Sequence, residues 1–402
     1  MKDILNIQTP YYIIDEEKLN INVTSMIDSF KQEWNNFIFS YSFKTNSLPW
    51  ILDWMKQKGA YAEVVSNVEY DLALELGYSA DKIVINGPYK GLECLKFALN
   101  NNSIVNLDSF HEIEWIKKNK PDNGIWKVGL RINFDLELEC PNETIMGSEP
   151  GRFGFNLENK SFERAVKELE ALDYVKIVGI HGHHSTKTKS LKIFKSISKK
   201  IVFISKVINN TLEYVDIGGC FFGDKPGAPT FLEYAKVICD ELRTVFSPSE
   251  TALIVEPGAA VIASPISYVC KIIDKKEINN KLILSTDGSS LNIDPQMHGI
   301  KFFIESFGSG ERVKEQIIGG YTCIEKDRMA VLDNEKALNI GDFIKFHNTG
   351  AYSMALTPLF IQYFPTVIVK RSDKLFYARK PWGVKEYMCN NYLGYNEVIK
   401  EC

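Results

Sequence analysis

No run of about 18 apolar residues occurs in this 402-residue chain, so no membrane-spanning helix is expected. The opening stretch, Met1 to Pro10, holds no apolar segment of signal-peptide length, and cytoplasmic residence is the expectation. Cysteine is scattered. None of Cys94, Cys140, Cys220, Cys239, Cys270, Cys323, Cys389 and Cys402 forms a C-x-x-C pair, which signals neither a zinc site nor a disulfide framework. An excess of one charge is also lacking. A net charge of -4 gives no reason to expect nucleic acid or an anionic membrane as partner. The densest lysine stretch, Lys187 to Lys200, is interleaved with apolar residues and reads as a solvated helix face. Internal repeats and low-complexity tracts are missing. What remains is 45% hydrophobic and 24% charged, enough for a sizeable core and about two domains.

From about residue 35 to 265, short apolar runs alternate with amphipathic stretches. The runs are Asn36 to Tyr41, Tyr61 to Val65, Lys82 to Ile85, Ser103 to Asn106, Trp126 to Ile132, Val175 to His181, Tyr214 to Ile217 and Leu253 to Val255. Helix periodicity fits Pro49 to Gln57, Val68 to Leu76 and Ser161 to Leu172. Strand candidates separated by helix candidates in this way predict a (β/α)₈ barrel over residues 26–265. Beyond it, Ile266 to Ile273, Leu282 to Ser285, Lys314 to Gly319, Met329 to Leu332, Asp342 to His347 and Thr366 to Lys370 read as strands joined by turns. They predict an all-β sandwich or barrel domain over 266–402. Residues 1–25, with strand-like Pro10 to Ile14, are expected to join it.

In such a barrel, reactive groups stand at the C-terminal ends of strands. Those ends offer Lys44, Glu63, Ser66, Arg131, His183, Gly218-Gly219 and Glu256. A lysine ending a buried strand must reach solvent or lose its proton, and in the second case it is a nucleophile able to form a Schiff base with an aldehyde. Its alternative is a surface lysine whose stem covers apolar area. Gly218 and Gly219 would let backbone N–H groups approach an anion, or simply make a tight turn. Glu256, before Pro257-Gly258, is a carboxylate in need of a cationic partner or an ordinary loop ion pair. Gly179 to Thr186 contains three of the six histidines, with strand alternation sending His181 and His183 to one side and His184 to the other. No acidic ligand of suitable spacing accompanies them, so no metal is expected. Stacking of an imidazole on a planar cofactor fits better, with Ser185 or Thr186 bonding a phosphate.

The ordered set Tyr41-x-x-Lys44, Val64-Val65-Ser66-x-x-Glu69, Arg131-x-Asn133, Arg152-Phe153-Gly154, His183, Gly218-Gly219, Glu256-Pro257-Gly258, Asp287-Gly288, Cys323-x-x-x-Asp327 and Gly350-Ala351-Tyr352 resembles the fold type III pyridoxal-phosphate decarboxylases, the group of diaminopimelate and ornithine decarboxylases. The resemblance covers nearly the whole chain. It implies that Lys44 carries pyridoxal 5'-phosphate as a Schiff base, that His183 stacks on the ring and that Glu256 meets the ring nitrogen. It implies a phosphate cradle of Gly218, Gly219, Ser185 or Thr186, and Tyr352, with Glu63, Arg131 and Gly258 completing the cofactor site. It further implies a homodimer in which Cys323 of the opposite subunit returns a proton after carbon dioxide leaves. A carboxylate at the ring nitrogen keeps the ring an electron sink, which suits decarboxylation.

Departures from the pattern bear on specificity. Ala259 stands where the family has arginine, and Cys220 replaces the third glycine of the loop. Asp294 and His298 take the places of the arginine and tyrosine that bind a distal carboxylate in diaminopimelate enzymes, and two carboxylates repel. Ile324 replaces the acid that would bind a distal ammonium. The substrate is thus expected to be an amino acid other than diaminopimelate or ornithine, with Glu325 or Asp294 as possible substitutes at the distal end. The competing readings are a racemase or lyase on the same scaffold, a non-catalytic relative, and a metal hydrolase using the histidines.

Overall fold

Short strands that are apolar on both faces need a shell of helices around them. In the computed structural model, residues 20–262 build that shell as one compact unit, and residues 1–19 with 263–402 form a second. The structure describes residues 7–223 and 225–391. The outer ends of the expected β domain, residues 1–6 and 392–402, lie outside them.

Strand β1 (Tyr11–Asp15) and helix α1 (Glu16–Glu33) open the described chain. The barrel then runs β2 (Phe37–Ser42), α2 (Pro49–Gln57), β3 (Tyr61–Val64), α3 (Asn67–Glu75), β4 (Ile83–Ile85), α4 (Leu92–Asn100), β5 (Ile104–Leu107), α5 (Phe110–Lys118) and β6 (Trp126–Asn133). It continues with β7 (Phe155–Asn156), α6 (Ser161–Glu170), β8 (Val175–Gly182), α7 (Lys192–Ile204), β9 (Tyr214–Asp216), α8 (Phe231–Leu242), β10 (Ala252–Val255) and α9 (Ala259–Ile262). Parallel pairing in the order β5-β4-β3-β2-β10-β9-β8-β6, closed by β5 on β6, makes the expected eight-stranded barrel. Each expected strand is present, with ends moved by a residue or two. The short β7, on the edge of β6, is an addition. In α7, Lys192, Lys195 and Lys199 are exposed while Ile193, Phe194, Ile197 and Ile201 are buried, as the interleaving predicted.

Register decides what meets inside. Gly129 of β6, Gly179 of β8 and Tyr214 of β9 lie at one level. A Cβ on Gly129 would come 2.0 Å from Tyr214 Oη, and one on Gly179 2.0 Å from its ring. The two glycines therefore make room for a tyrosine that fills the barrel. Two residues further along each strand, on the same face, Arg131, His181 and Asp216 form the next level. A bulge at Val128/Gly129 against β8 fixes that alignment.

The other unit contains β11 (Ile266–Ile278), β12 (Lys281–Thr286), α10 (Ser290–Ile293), β13 (Ile304–Ser306), β14 (Arg312–Gly319), β15 (Arg328–Lys336), β16 (Phe343–Phe346), β17 (Thr366–Arg371), β18 (Lys374–Arg379) and α11 (Val384–Met388). One path orders β15-β14-β12-β11-β1-β17-β18, with β16 joining β11 to β13. β1 thus inserts between β11 and β17. Tyr11, Ile13, Val269 and Ile368 pack as its core. β13 escaped the sequence reading because it is only three residues long, and β18 because its apolar run Leu375-Phe376-Tyr377 lies largely in solvent and shows no alternation.

Gly179→Ala should cost about 1–3 kcal/mol, the usual range for overpacking a filled core. A urea titration read against the wild type checks this, and an unchanged midpoint would contradict the tight-packing account.

Candidate active site

Lys44 follows β2 in a single 3-10 turn, Phe43 to Thr45, in which both neighbours are buried. Its own side chain is 42% exposed, and Nζ donates to Glu63 Oε2 at 2.6 Å. Of the two fates open to a strand-end lysine, this one reaches solvent and is held by a buried carboxylate. Glu63, on β3, also accepts from Ser42 Oγ and from Asn86 Nδ2 at 3.2 Å. Burial pushes its carboxyl upward, but the Lys44 charge and these hydrogen bonds outweigh burial and hold it below the usual range.

On the other side of β2 from β3, Glu256 follows β10. Its Oε1 accepts from Asn86 Nδ2 at 2.5 Å, and its backbone N–H donates to Gly218 O at 2.8 Å. Asp216 lies beside it. His181, Asp216 and Glu256 present polar atoms within 4.8 Å of one another, all buried. No acidic residue of ligand spacing flanks the histidines in the sequence; residues distant in sequence supply two carboxylates in space. Their other contacts belong to the protein. Asp216 Oδ1 accepts from the Gly218 N–H at 2.8 Å and Oδ2 from Asn106 Nδ2 at 3.3 Å. Asn106 also donates to Asn86 Oδ1 at 2.9 Å and accepts from Tyr214 Oη at 2.8 Å. Burial, then the neighbouring Asp216 and Glu63 charges, raise the Glu256 carboxyl well above its usual range, and burial pushes Asp216 up to about 7.

His183 stands past the end of β8. Its Nδ1 accepts the Gly219 N–H at 3.2 Å, which leaves Nε2 to carry the proton in the neutral ring. Burial and then the Arg131 charge push both His181 and His183 well below the usual imidazole range. Arg131 faces Asp108 at 3.6 Å and lies 4.5 Å over the Phe153 ring. Gly218 and Gly219 are needed where they stand. A Cβ on Gly218, whose φ is +69°, would meet His183 Nδ1 at 2.5 Å, and one on Gly219 would meet Glu256 O at 2.3 Å. Gly258 is equally tight against Thr45 Oγ1 at 2.0 Å.

The structure brings Lys44, Glu63, Arg131, His183, Gly218, Gly219, Glu256 and Gly258 onto one end of the barrel strands. The expected anion donors are engaged within the protein: Gly219 N–H on His183, and Thr186 Oγ1 on Glu143 O and Thr188 O, both at 3.0 Å. Cys220, at φ +73°, accepts the Thr186 N–H on its sulfur at 3.2 Å, and so ties the glycine turn to the loop after β8. Ser185 is exposed. Sequence reasoning missed Asn86, Asn106, Asp216 and Tyr214. Their signal was a polar residue within or at the end of a strand otherwise apolar on both faces, as in Ile83-Val84-Ile85-Asn86 and Tyr214-Val215-Asp216-Ile217.

In the second unit, Cys323 is exposed on the loop between β14 and β15. Asp327 anchors that loop. Its Oδ2 accepts from Ser289 Oγ at 2.9 Å and Thr322 Oγ1 at 2.6 Å, and its Oδ1 from Ser290 N at 2.8 Å and Oγ at 2.7 Å. Ile324 is half-buried, His298 exposed, and Tyr352 exposed at φ +55°. Asp294 is buried, with Oδ2 accepting the N–H groups of Gly299 at 2.8 Å and Ile300 at 3.2 Å. Its carboxylate holds a turn.

A model of the pyridoxal-dependent decarboxylases, for their pyridoxal binding domain, matches residues 21–263. The diaminopimelate decarboxylase of Methanocaldococcus jannaschii is 25% identical over 364 residues, 87% of this chain and 83% of that protein. The L-glutamyl-[BtrI acyl-carrier protein] decarboxylase of Niallia circulans is 24% identical over 389 residues, 90% of this chain and 88% of that protein. A crystal structure of the Methanocaldococcus jannaschii diaminopimelate decarboxylase has the same fold, with a TM-score of 0.86 at 21% identity over 98% of this chain and 94% of that one.

Asn86→Leu removes the amide shared by Glu63, Glu256 and Asn106. Leaving buried acceptors unpartnered costs about 1–3 kcal/mol. Guanidinium unfolding should show that loss, and an unchanged midpoint would mean that the polar network contributes nothing.

Proposed function

The chain belongs to the pyridoxal-dependent decarboxylases, and from that premise we propose how its residues divide the work. The reaction is decarboxylation of an amino acid with pyridoxal 5'-phosphate. Bound, the cofactor supplies an aldehyde that captures amines and a protonated ring that draws electrons from the bond to the departing carboxylate.

The barrel residues fit that group. Both ring nitrogens of His181, Nε of Arg131 and Oγ1 of Thr45 are buried without a hydrogen-bond partner. Such atoms favour a polar ligand at their end of the barrel. We assign Lys44 to hold the aldehyde carbon, His183 to cover the ring face, and Glu256 to meet the ring nitrogen, with Glu63 and Arg131 beside them. Gly218, Gly219, Gly258, Ser185 and Thr186 are assigned to the phosphate end. Ala259 offers no cation there, and the Gly219 and Thr186 donors must leave their present partners to serve it.

A lysine acts as a nucleophile only after shedding its proton. Glu63 Oε2, 2.6 Å from Nζ, is the acceptor in place. His183 stays neutral and Nε2-protonated, so it adds a flat apolar face with no competing cation. We assign Cys323, from the second copy of a homodimer, to return a proton through Sγ to the carbon that loses its carboxylate. Its exposure, and the exposed Leu356, Leu359, Phe360 and Ile361 of the same unit, support a partner there. The seven described cysteines are free thiols, in keeping with a cytoplasmic enzyme.

We further propose that the substrate's distal end is uncharged. Ile324 offers no anion to an ammonium, and Asp294 is committed to Gly299 and Ile300. An amide or a carrier-held acyl group, as in the substrate named for the Niallia circulans relative, meets no unpaired charge.

Carbon dioxide release across a panel of amino acids tests the reading. Glutamine or a γ-glutamyl thioester should exceed diaminopimelate, ornithine and lysine. With the best substrate, Lys44→Ala should lower the rate about a thousandfold or more, as loss of a covalent catalyst does. Cys323→Ala should lower it roughly 10²–10⁴-fold, the range for a general acid. A Lys44→Ala protein at full rate, or strong preference for a dibasic amino acid, would refute the corresponding assignment.

A further inference from the structure

Asp216 has no task in the mechanism above, yet it is fully buried within reach of Glu256. Two carboxylates so placed cannot both be ionised without a cation between them. The groups facing them are known. Lys44 is paired with Glu63 at 2.6 Å, and Arg131 faces Asp108 at 3.6 Å. His181, whose Nε2 is 3.6 Å from Glu256 Oε2, is held neutral by burial and by Arg131, and His183 likewise. Asn86, Asn106 and Tyr214 contribute neutral hydrogen bonds. The positive charges around the pair are therefore already opposed.

We infer that Asp216 and Glu256 share one proton, and that Asp216 is a positioning residue which takes this proton when a cation meets Glu256. In the cofactor-free protein the proton belongs to Glu256. Asp216 is the better stabilised anion, because it accepts the Gly218 N–H at 2.8 Å and Asn106 Nδ2 at 3.3 Å, while Glu256 accepts one amide. A carboxyl oxygen of each lies within 4.8 Å of the other, and the inferred O–H of Glu256 is directed to Asp216. A protonated ring nitrogen placed against Glu256 reverses the preference. The O–H bond of Glu256 breaks, an O–H bond forms on Asp216, and Asp216 then donates to Glu256. No proton enters or leaves the pair, and its single negative charge balances the single positive charge of the ring. Asp216 thus lets a buried carboxylic acid become a carboxylate on demand, aimed by the hydrogen bond it receives.

The transfer rests on the assignment of Glu256 to the ring nitrogen; the sharing does not. Infrared difference spectra at pH 8, loaded with pyridoxal 5'-phosphate minus cofactor-free, test both. Protein carrying ¹³C in its glutamate or its aspartate side-chain carboxyls identifies each band. The expected result is loss of a protonated-carboxyl band sensitive to the glutamate label and gain of one sensitive to the aspartate label. Asp216→Asn should abolish the gained band. If that variant fails to hold the cofactor, the labelled wild-type spectra still decide. Loss of the glutamate band with no aspartate band in its place overturns the transfer alone. A glutamate band that loading leaves unmoved overturns the transfer together with the Glu256 assignment. A cofactor-free spectrum of wild type minus Glu256→Gln that shows no protonated-carboxyl band sensitive to the glutamate label overturns the sharing.

Discussion

The buried negative charge of Glu63, Asp216 and Glu256 governs the barrel interior. Burial disfavours each carboxylate, and the protein answers each differently. Glu63 is matched by the Lys44 ammonium and two hydrogen bonds, so it stays ionised and keeps the lysine at the strand ends. Glu256 and Asp216 have no such cation and carry a proton instead. One end of the site is therefore a ready ion pair and the other a latent one. That asymmetry suits a ligand with an electrophilic carbon at one side and a basic ring nitrogen at the other.

The arrangement depends on space made below it. Gly129 and Gly179 admit Tyr214, whose hydroxyl reaches Asn106, whose amide in turn reaches Asn86 and Asp216. A chain of neutral donors thus runs from the packed middle of the barrel to the carboxylates. Arg131, His181 and Asp216 share one level because their strands are in register, not because the sequence brings them near. Glycine is required above as well, since side chains at Gly218, Gly219 and Gly258 would strike His183, Glu256 and Thr45.

Much of this was legible in the residues. The alternation of apolar runs gave the barrel, and the strand ends gave Lys44, Glu63, Arg131, His183 and Glu256. Lys44 stood out as a strand-end lysine, but its solvent-facing pairing with Glu63 required a neighbouring strand to be placed. Asn86, Asn106 and Asp216 each carried a signal, one polar residue on an apolar strand, but nothing in the sequence says where that residue points. Only parallel register shows that all three converge. The same is true of Asp294, which looks like a free specificity residue and proves to be bonded to the backbone five and six residues on. Cys220 was visible as a departure from a glycine, whereas its tie to Thr186 depends on how the loop after β8 folds back.

The central claim is that this barrel directs one lysine among many to the cofactor aldehyde. Borohydride reduction of the protein loaded with pyridoxal 5'-phosphate, followed by peptide mass spectrometry, tests it without a substrate. The account predicts one pyridoxyl group per chain, on Lys44, with its yield falling sharply in Glu63→Gln. Modification spread over surface lysines, or centred on another lysine at the same end of the barrel such as the buried Lys90, would contradict it.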